Sequence, residues 1–291
     1  MENQIMKIWK KAVGILAVAG VSLSLAACGT SGDKKDNATK DKNPSSVDAI
    51  KKRGEIKIAV FGDLSPYGYL DADGKNQGYD VYLGNQIAKD LGVKVKYVIV
   101  NAEERVDALK SNKVDLVLAN FTKTPEREKV IDFANPYMKV AIGVASLKEK
   151  PITEVSQLKG KKIIVNKGTT AEAYFTSKQP DVILEKYESK TQQFQALKDG
   201  RADAIADDNS YLYAWVKENP EFEVGIKELG DVSTINPGIK KGNQSLLDWT
   251  NQELEKLGED SFFAKDYAAT LKDFFGSDIT AQDIVLEGKE Q

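Results

Sequence analysis

Histidine is absent from the 291 residues, and cysteine occurs once, at position 28. These gaps exclude a good deal of chemistry. Zinc sites lose their usual ligands. Nucleophilic centres of the Cys–His and Ser–His kinds have no imidazole to act as base. A single cysteine closes no disulfide within the chain, so the fold rests on its apolar core. A basic excess is missing too: 41 Lys and Arg stand against 44 Asp and Glu. That balance speaks against a nucleic-acid or anionic-membrane surface. No repeat with a period of about 20–50 residues recurs, which argues against a solenoid. No metal, cofactor or nucleic-acid partner is expected.

What is present starts with a leader. Lys7, Lys10 and Lys11 precede an uncharged, apolar and small-residue run over residues 12–25. The run is too short to span a bilayer comfortably and has the length of a signal-peptide core. It ends in Leu25-Ala26-Ala27-Cys28-Gly29, which resembles the lipobox of bacterial lipoproteins. The resemblance implies cleavage after residue 27 and lipidation of the Cys28 thiol, with more than one acyl chain for stable attachment. The alternative is an ordinary signal peptide with an incidental cysteine. Losing residues 1–27 removes three lysines and one glutamate, leaving 38 basic and 43 acidic side chains and a net charge near −5. Residues 28–47 read as a flexible tether, because 29–46 hold Lys, Asp, Asn, Ser, Thr and Gly with no large apolar residue. About eighteen residues of coil hold a folded body roughly 20–25 Å from its anchor.

Beyond the tether, strands and helices alternate. Ile56, Ile58 and Val60 alternate with Lys57 and Ala59 as a strand. Asp80 is placed to cap a helix over about 81–91, with Leu83, Ile87 and Leu91 on one face and Gly92 at its end. Residues 94–100 and 114–119 read as strands around a short helix at 105–112. A β-rich run at 139–147 suits a strand that leaves one lobe for another. The pattern then restarts, with strands at 162–165, 182–186 and 202–206 and helices between them. An extended run at 233–240 is interrupted by Pro237-Gly238, and helical patterning follows Asn243. Two such sets joined by extended crossings near 143–149 and 235–241 predict an α/β chain of two lobes with a two-strand hinge. The C-terminal helices are expected to return to the first lobe.

Four loops carry candidate binding residues. The buried run 114–118 leads into Ala119-Asn120-Phe121-Thr122-Lys123-Thr124-Pro125-Glu126-Arg127. In open α/β sheets ligands bind at the carboxyl ends of strands. A guanidinium fork there suits a carboxylate, although for Arg127 taken alone pairing with Glu126 or Asp132 at the surface is the plainer reading. Gly168-Thr169-Thr170 precedes a helix, whose first N–H groups attract anions; a simple threonine cap is the plainer reading. Asp207 and Asp208 follow the strand at 202–206, as a ligand acceptor or another cap. The loop Asp63-Leu64-Ser65-Pro66-Tyr67-Gly68-Tyr69 offers aromatic rings for a ligand or for packing.

The string Asn120-Phe121-Thr122-x-Thr124-Pro125-x-Arg127, followed by Asp132-Phe133-Ala134-x-Pro136-Tyr137, resembles the solute-binding proteins that feed polar amino acids to ABC importers. The resemblance covers about residues 48–286. It implies a two-lobed, type II periplasmic-binding-protein fold, with 48–145 plus 238–291 in lobe 1 and 146–237 in lobe 2. It implies that Arg127 clamps the ligand's α-carboxylate, while Thr122 and the Asn120 carbonyl meet its α-ammonium. The Thr169 and Thr170 turn would donate to the same carboxylate from the other lobe. Asp208, selected over Asp207 by its spacing from Asp203, would accept from the ammonium. Tyr67 would sandwich the ligand side chain or pack in the hinge or core. Arg105 matches an arginine that meets a side-chain carboxylate in some acidic-amino-acid binders.

Several strings look most like cysteine-binding members: Phe61-Gly62-Asp63, Asn166-Lys167-Gly168-Thr169-Thr170-Ala171, Ala214-Trp215-Val216-Lys217 and Gly225-Ile226-Lys227-Glu228-Leu229-Gly230. The implied protein is a monomer, lipid-anchored through Cys28 on the outer face of the cell membrane. It captures a small polar L-amino acid, cysteine first, and delivers it to an ABC importer permease. Cystine, glutamate and aspartate stay open as ligands. The competing class is an enzyme of the cyclohexadienyl-dehydratase kind on the same fold. A sensory domain is disfavoured because no kinase, channel or membrane span follows.

Overall fold

The computed structural model describes residues 43–275 and 279–289. The expected leader, Cys28 and the tether as far as residue 42 lie outside the described residues. Residues 43–46, polar enough to read as tether, form a turn in which Ser45 and Ser46 are buried. They tolerate burial because they are bonded. Asn243 Nδ2 donates to the Ser45 carbonyl at 2.8 Å, and Ser46 Oγ caps the helix Val47–Arg53.

Two five-stranded sheets organise the chain. The first runs Lys94–Ile99, Glu55–Val60, Leu116–Val117, Gly238–Lys240, Ile131–Phe133. Its first three strands are parallel, and Gly238–Lys240 lies antiparallel to both its neighbours. Ile56, Ile58, Ala59 and Val60 are all fully buried, as a parallel strand covered on both faces requires. The second sheet runs Ile183–Tyr187, Lys162–Asn166, Ala204–Asp208, Met138–Leu147, Phe222–Ile235. Here too three parallel strands are followed by an antiparallel one, Met138–Leu147. The chain enters this sheet through Met138–Leu147 and leaves it through Phe222–Ile235. The two long strands pair where they cross, with Met138 opposite Ile235 and Val140 opposite Ser233.

Helix Tyr79–Leu91 buries Leu83, Ile87 and Leu91, and Gly92 ends it with φ 72°. Its start departs from the sequence reading. The helix begins at Tyr79, so Asp80 lies inside the first turn rather than at the cap. The capping partners come from the preceding loop: the N–H groups of Tyr79 and Asp80 donate to the carbonyls of Pro66 and Tyr67 at 3.1 and 2.9 Å. That approach needs a glycine at 78, where φ is 114° and a Cβ would lie 2.5 Å from both carbonyl oxygens.

The C-terminal helices return to the first sheet. The Phe262 ring lies 5.4 Å from Tyr82, and Phe263 stacks 6.3 Å from Tyr137. Leu286 N–H then donates to the Tyr137 carbonyl, beside the crossing strands. Because Gly78 combines a left-handed φ with backbone on top of it, Gly78→Ala should lower unfolding stability by about 1–3 kcal/mol. Gly74, also left-handed but with nothing within 4 Å of its Cβ position, should lose less as alanine. Urea unfolding of both variants checks this, and equal stabilities would contradict it.

Candidate functional site

The carboxyl ends of the parallel strands in the two sheets face each other, and hydrogen bonds join them. Thr124 caps the short helix Pro125–Glu128, with Pro125 at its first position. This turn sends the Arg127 side chain inward. Its Nη1 donates to the Thr122 carbonyl at 2.6 Å, and its Nη2 crosses to the Gly168 carbonyl at 2.8 Å. Asp132 pairs instead with Lys241 at 2.6 Å.

Arg105 is only 3% exposed. Its Nε donates to Ala102 O, its Nη1 to Ala119 O and Asn120 O, and its Nη2 to Gly168 O, at 2.9–3.0 Å. Both guanidinium carbons lie over the Phe121 ring, 4.5 Å (Arg105) and 4.8 Å (Arg127) from its centroid. Among the described residues no carboxylate lies within ion-pair distance of either group. Burial pushes Arg127 down to about 10. Burial, and then the like charge of Arg127, push Arg105 well below the ordinary arginine range.

Asn120 ends the loop's approach in a left-handed conformation, φ 42°. Its carbonyl is engaged by Arg105, while its Nδ2 crosses to Asp208 Oδ2 at 2.8 Å. Its Oδ1 is buried with no partner among the described residues. The two neighbouring aspartates differ sharply. Asp207 is committed: Lys190 Nζ lies 2.5 Å from it, Gln193 Nε2 donates at 3.0 Å, and Asp208 N–H donates to its other oxygen. Asp208 stands at the start of helix Asn209–Glu218 but makes no side-chain cap bond. Burial, and then the charge of Asp207, push its carboxyl up to about 6.

Thr169 caps helix Thr170–Lys178, accepting from Glu172 N–H at 3.3 Å, and its hydroxyl donates to Asn166 O at 2.7 Å. Gly168, with φ 75°, allows the lobes to touch, since a Cβ there would meet Glu103 Cα at 2.6 Å. At the rim, Asp63 Oδ2 accepts from Ser189 Oγ at 2.9 Å and Thr191 N–H at 3.3 Å.

Arg105, Asn120, Thr122, Thr169, Thr170 and Asp208 line one cavity, and Arg127 closes on its Gly168 edge. Phe61, Leu64, Lys190 and Asp207 complete the lining. The enclosed space is ≈ 10 Å³, at the margin of what one water needs. The lobes therefore have to part to admit anything larger. Tyr67 is not in this lining. It is fully buried beneath the loop, edge-on to Tyr79 with ring centroids 6.5 Å apart. Lys190 gave no sequence signal, because its partner Asp207 is 17 positions away. Phe61 was visible only within a longer string. Among the described residues no group of three acidic or sulfur side chains gathers to hold a metal.

Comparison with known proteins places this geometry in context. Residues 56–276 match the family of bacterial extracellular solute-binding proteins, family 3. The solved solute receptor for L-cysteine of Neisseria gonorrhoeae is 50% identical, with a TM-score of 0.81, covering 83% of this chain and 99% of that one. The cysteine-binding protein of Campylobacter jejuni is 51% identical, also at TM-score 0.81, covering 82% and 98%. The ABC transporter glutamine-binding protein of Bacillus subtilis is 30% identical over 86% of this chain and 92% of its own length. The architecture is that of the type II periplasmic binding proteins, with two lobes. By the extent of the family match, the chain belongs to the bacterial extracellular solute-binding proteins, family 3.

Proposed function

We propose that this protein captures a small polar L-amino acid, with L-cysteine first, and presents it to the permease of an ABC importer. One observation carries the reading. Asp208 lines the cleft and Arg127 reaches the Gly168 carbonyl at its edge, and among the described residues Asp208 has no cation, and Arg127 no carboxylate, within ion-pair distance. A zwitterion supplies both missing charges. Its α-carboxylate meets Arg127 and the turn at Thr169 and Thr170, and its α-ammonium meets Asp208, with Thr122 and Asn120 beside it. Binding energy then shifts an open–closed equilibrium toward the closed form, which is the form the permease reads.

Two observations support a small ligand without a second carboxylate. Arg105 already spends four of its five N–H donors on carbonyls, so it is poorly placed for a bidentate pair with an acidic side chain. The 50% identity to the gonococcal L-cysteine receptor points the same way. Tyr67 supports the loop rather than touching the ligand in this reading. The protein works as a monomer, held at the outer face of the membrane by lipid on Cys28, and binds without catalysis. Its relatives are transport binding proteins, and Asp208, the obvious general acid, is occupied by the ammonium. Turnover of prephenate or arogenate would contradict the binding-only reading.

Removing one member of a desolvated, charge-assisted pair costs on the order of 2–5 kcal/mol. Arg127→Ala should therefore weaken every amino-acid ligand by roughly 30-fold to several thousand-fold. Asp208→Asn should lose a comparable amount and Thr169→Ala much less. Calorimetry showing near wild-type affinity for Arg127→Ala would reject the clamp. Ligand identity is best read by thermal shift across all amino acids, in reducing and oxidising buffers. A shift with reduced cysteine and little with glutamate fits; a shift with glutamate, aspartate or arginine and none with cysteine or cystine refutes it.

The pH dependence follows from Asp208. Its carboxyl sits at about 6 in the folded protein, above its ordinary value. Above that pH the ammonium finds a carboxylate, and affinity is flat. Below it, binding must expel a proton, so affinity should fall by up to about tenfold per pH unit. The ligand-free protein moves the opposite way. Its raised carboxyl takes up a proton that the unfolded chain does not, so this group adds stability as pH drops through about 6 toward the usual carboxylate range. Titrations at pH 5 to 8 that show constant affinity would argue against Asp208 as the acceptor.

A further inference from the structure

Asp80 is a buried carboxylate that none of the clamp contacts uses. It is 1% exposed and sits in the first turn of helix Tyr79–Leu91. Its Oδ2 accepts the Asn120 N–H at 2.9 Å, and its Oδ1 accepts the Tyr137 hydroxyl at 2.6 Å. The Asn120 N–H is shared with the Leu118 carbonyl, two residues back, at 2.6 Å. The Tyr137 hydroxyl also reaches the Leu118 carbonyl, at 3.1 Å. Asp80 and Tyr137 thus grip both ends of the turn 118–120 from the core side.

That turn has a left-handed residue at its end, Asn120, and Asn120 sends its amide to Asp208 in the opposite lobe. Tyr137 precedes the crossing strand Met138–Leu147, and its own N–H donates to Ile235 O on the returning strand. A continuous set of hydrogen bonds therefore runs from the crossing strands through Tyr137, Asp80 and Asn120 to Asp208. A non-glycine residue at positive φ persists only when its surroundings hold it there. Here the holding group is named.

We propose that Asp80 is a positioning residue for ligand capture: by accepting the Asn120 N–H it fixes the left-handed turn that aims the Asn120 amide at Asp208 across the cleft. The proposal rests on the reading of the cleft as an amino-acid site. What the geometry requires of residue 80 is an acceptor for Asn120 N–H, not a charge. An asparagine can meet that need, with its oxygen toward Asn120 and its NH2 toward Tyr137 Oη, whose proton then goes to Leu118 O. Alanine cannot.

The test compares Asp80→Ala and Asp80→Asn, titrated calorimetrically with L-cysteine in reducing buffer. Alanine should weaken binding about tenfold or more, and asparagine should stay within about threefold of wild type. In an Asn120→Gly background, which keeps the turn but lacks the amide, Asp80→Ala should add less than about twofold, because coupled residues do not add. Wild-type affinity for Asp80→Ala, equal losses for Ala and Asn, or full additivity with Asn120→Gly would each overturn the proposal. If Asp80→Ala does not fold, Tyr137→Phe, which deletes the hydroxyl that holds the Asp80 carboxylate in line with the Asn120 N–H, should weaken binding about three- to tenfold, and no loss would overturn the proposal. A second readout needs no ligand. The Asn120 backbone and side-chain amide resonances should shift in ligand-free Asp80→Ala (or Tyr137→Phe) and hold near wild type in Asp80→Asn. Should wild type bind no amino acid, the functional reading fails, while the amide resonances still decide the role of Asp80: no shift on losing the acceptor overturns it.

Discussion

Burying a positive charge without a carboxylate is costly, and the cleft of this protein holds two guanidinium groups with none within ion-pair distance among the described residues, Arg105 buried and Arg127 half-buried. Arg105 and Arg127 converge on one oxygen, the Gly168 carbonyl, with Phe121 against both guanidinium groups. Backbone carbonyls satisfy the donors but supply no net negative charge. Much of the surrounding structure makes this arrangement possible. Gly168 has no Cβ to collide with Glu103, Thr124 and Pro125 turn Arg127 inward, and the strand ending at Val117 delivers Asn120 and Thr122 to the same space. In the proposed reading an incoming carboxylate neutralises that positive charge.

The opposite half of the site is built by a division of labour between adjacent residues. Asp207 forms a closed internal pair with Lys190 and Gln193, so its charge is spent. Asp208 has one oxygen held by Asn120, and among the described residues no side chain donates to the other. Burial, and then the charge of Asp207, raise Asp208's carboxyl, and in the proposed reading an arriving ammonium offsets both. The proposed zwitterion would thus supply an opposite charge at both ends of the cleft. The Asp63 contacts with Ser189 and Thr191 at the rim also join the two lobes, and they are independent of ligand chemistry.

Much of this was legible in the sequence, for identifiable reasons. Local signals worked: the spacing of Leu83, Ile87 and Leu91 and the glycine after them gave the helix, and the buried run 114–118 pointed to the loop that carries the site. Signals that depend on distant partners did not. Asp80 looks like a helix cap because an aspartate before an apolar helical pattern usually is one; its partner Tyr137 is 57 positions away. Lys190 and Asp207 form a buried pair that no spacing rule announces. The crossing strands pair at 138–140 with 233–235, a register that β-rich composition over 139–147 cannot fix. Tyr67 reads from its loop as either a binding aromatic or a packing one; the close approach at Gly78 pulls that loop onto a helix N-terminus, and the ring is buried.

The central claim is that the charges of an amino acid's backbone, not its side chain, complete this cleft. A crystal structure of the protein grown with L-cysteine under reducing conditions tests it most directly. The account predicts the α-carboxylate within hydrogen-bond distance of Arg127 and the turn at Thr169 and Thr170, and the α-ammonium on Asp208. Electron density with the ligand bound elsewhere, and Arg127 still donating only to the carbonyls of Thr122 and Gly168, would contradict it.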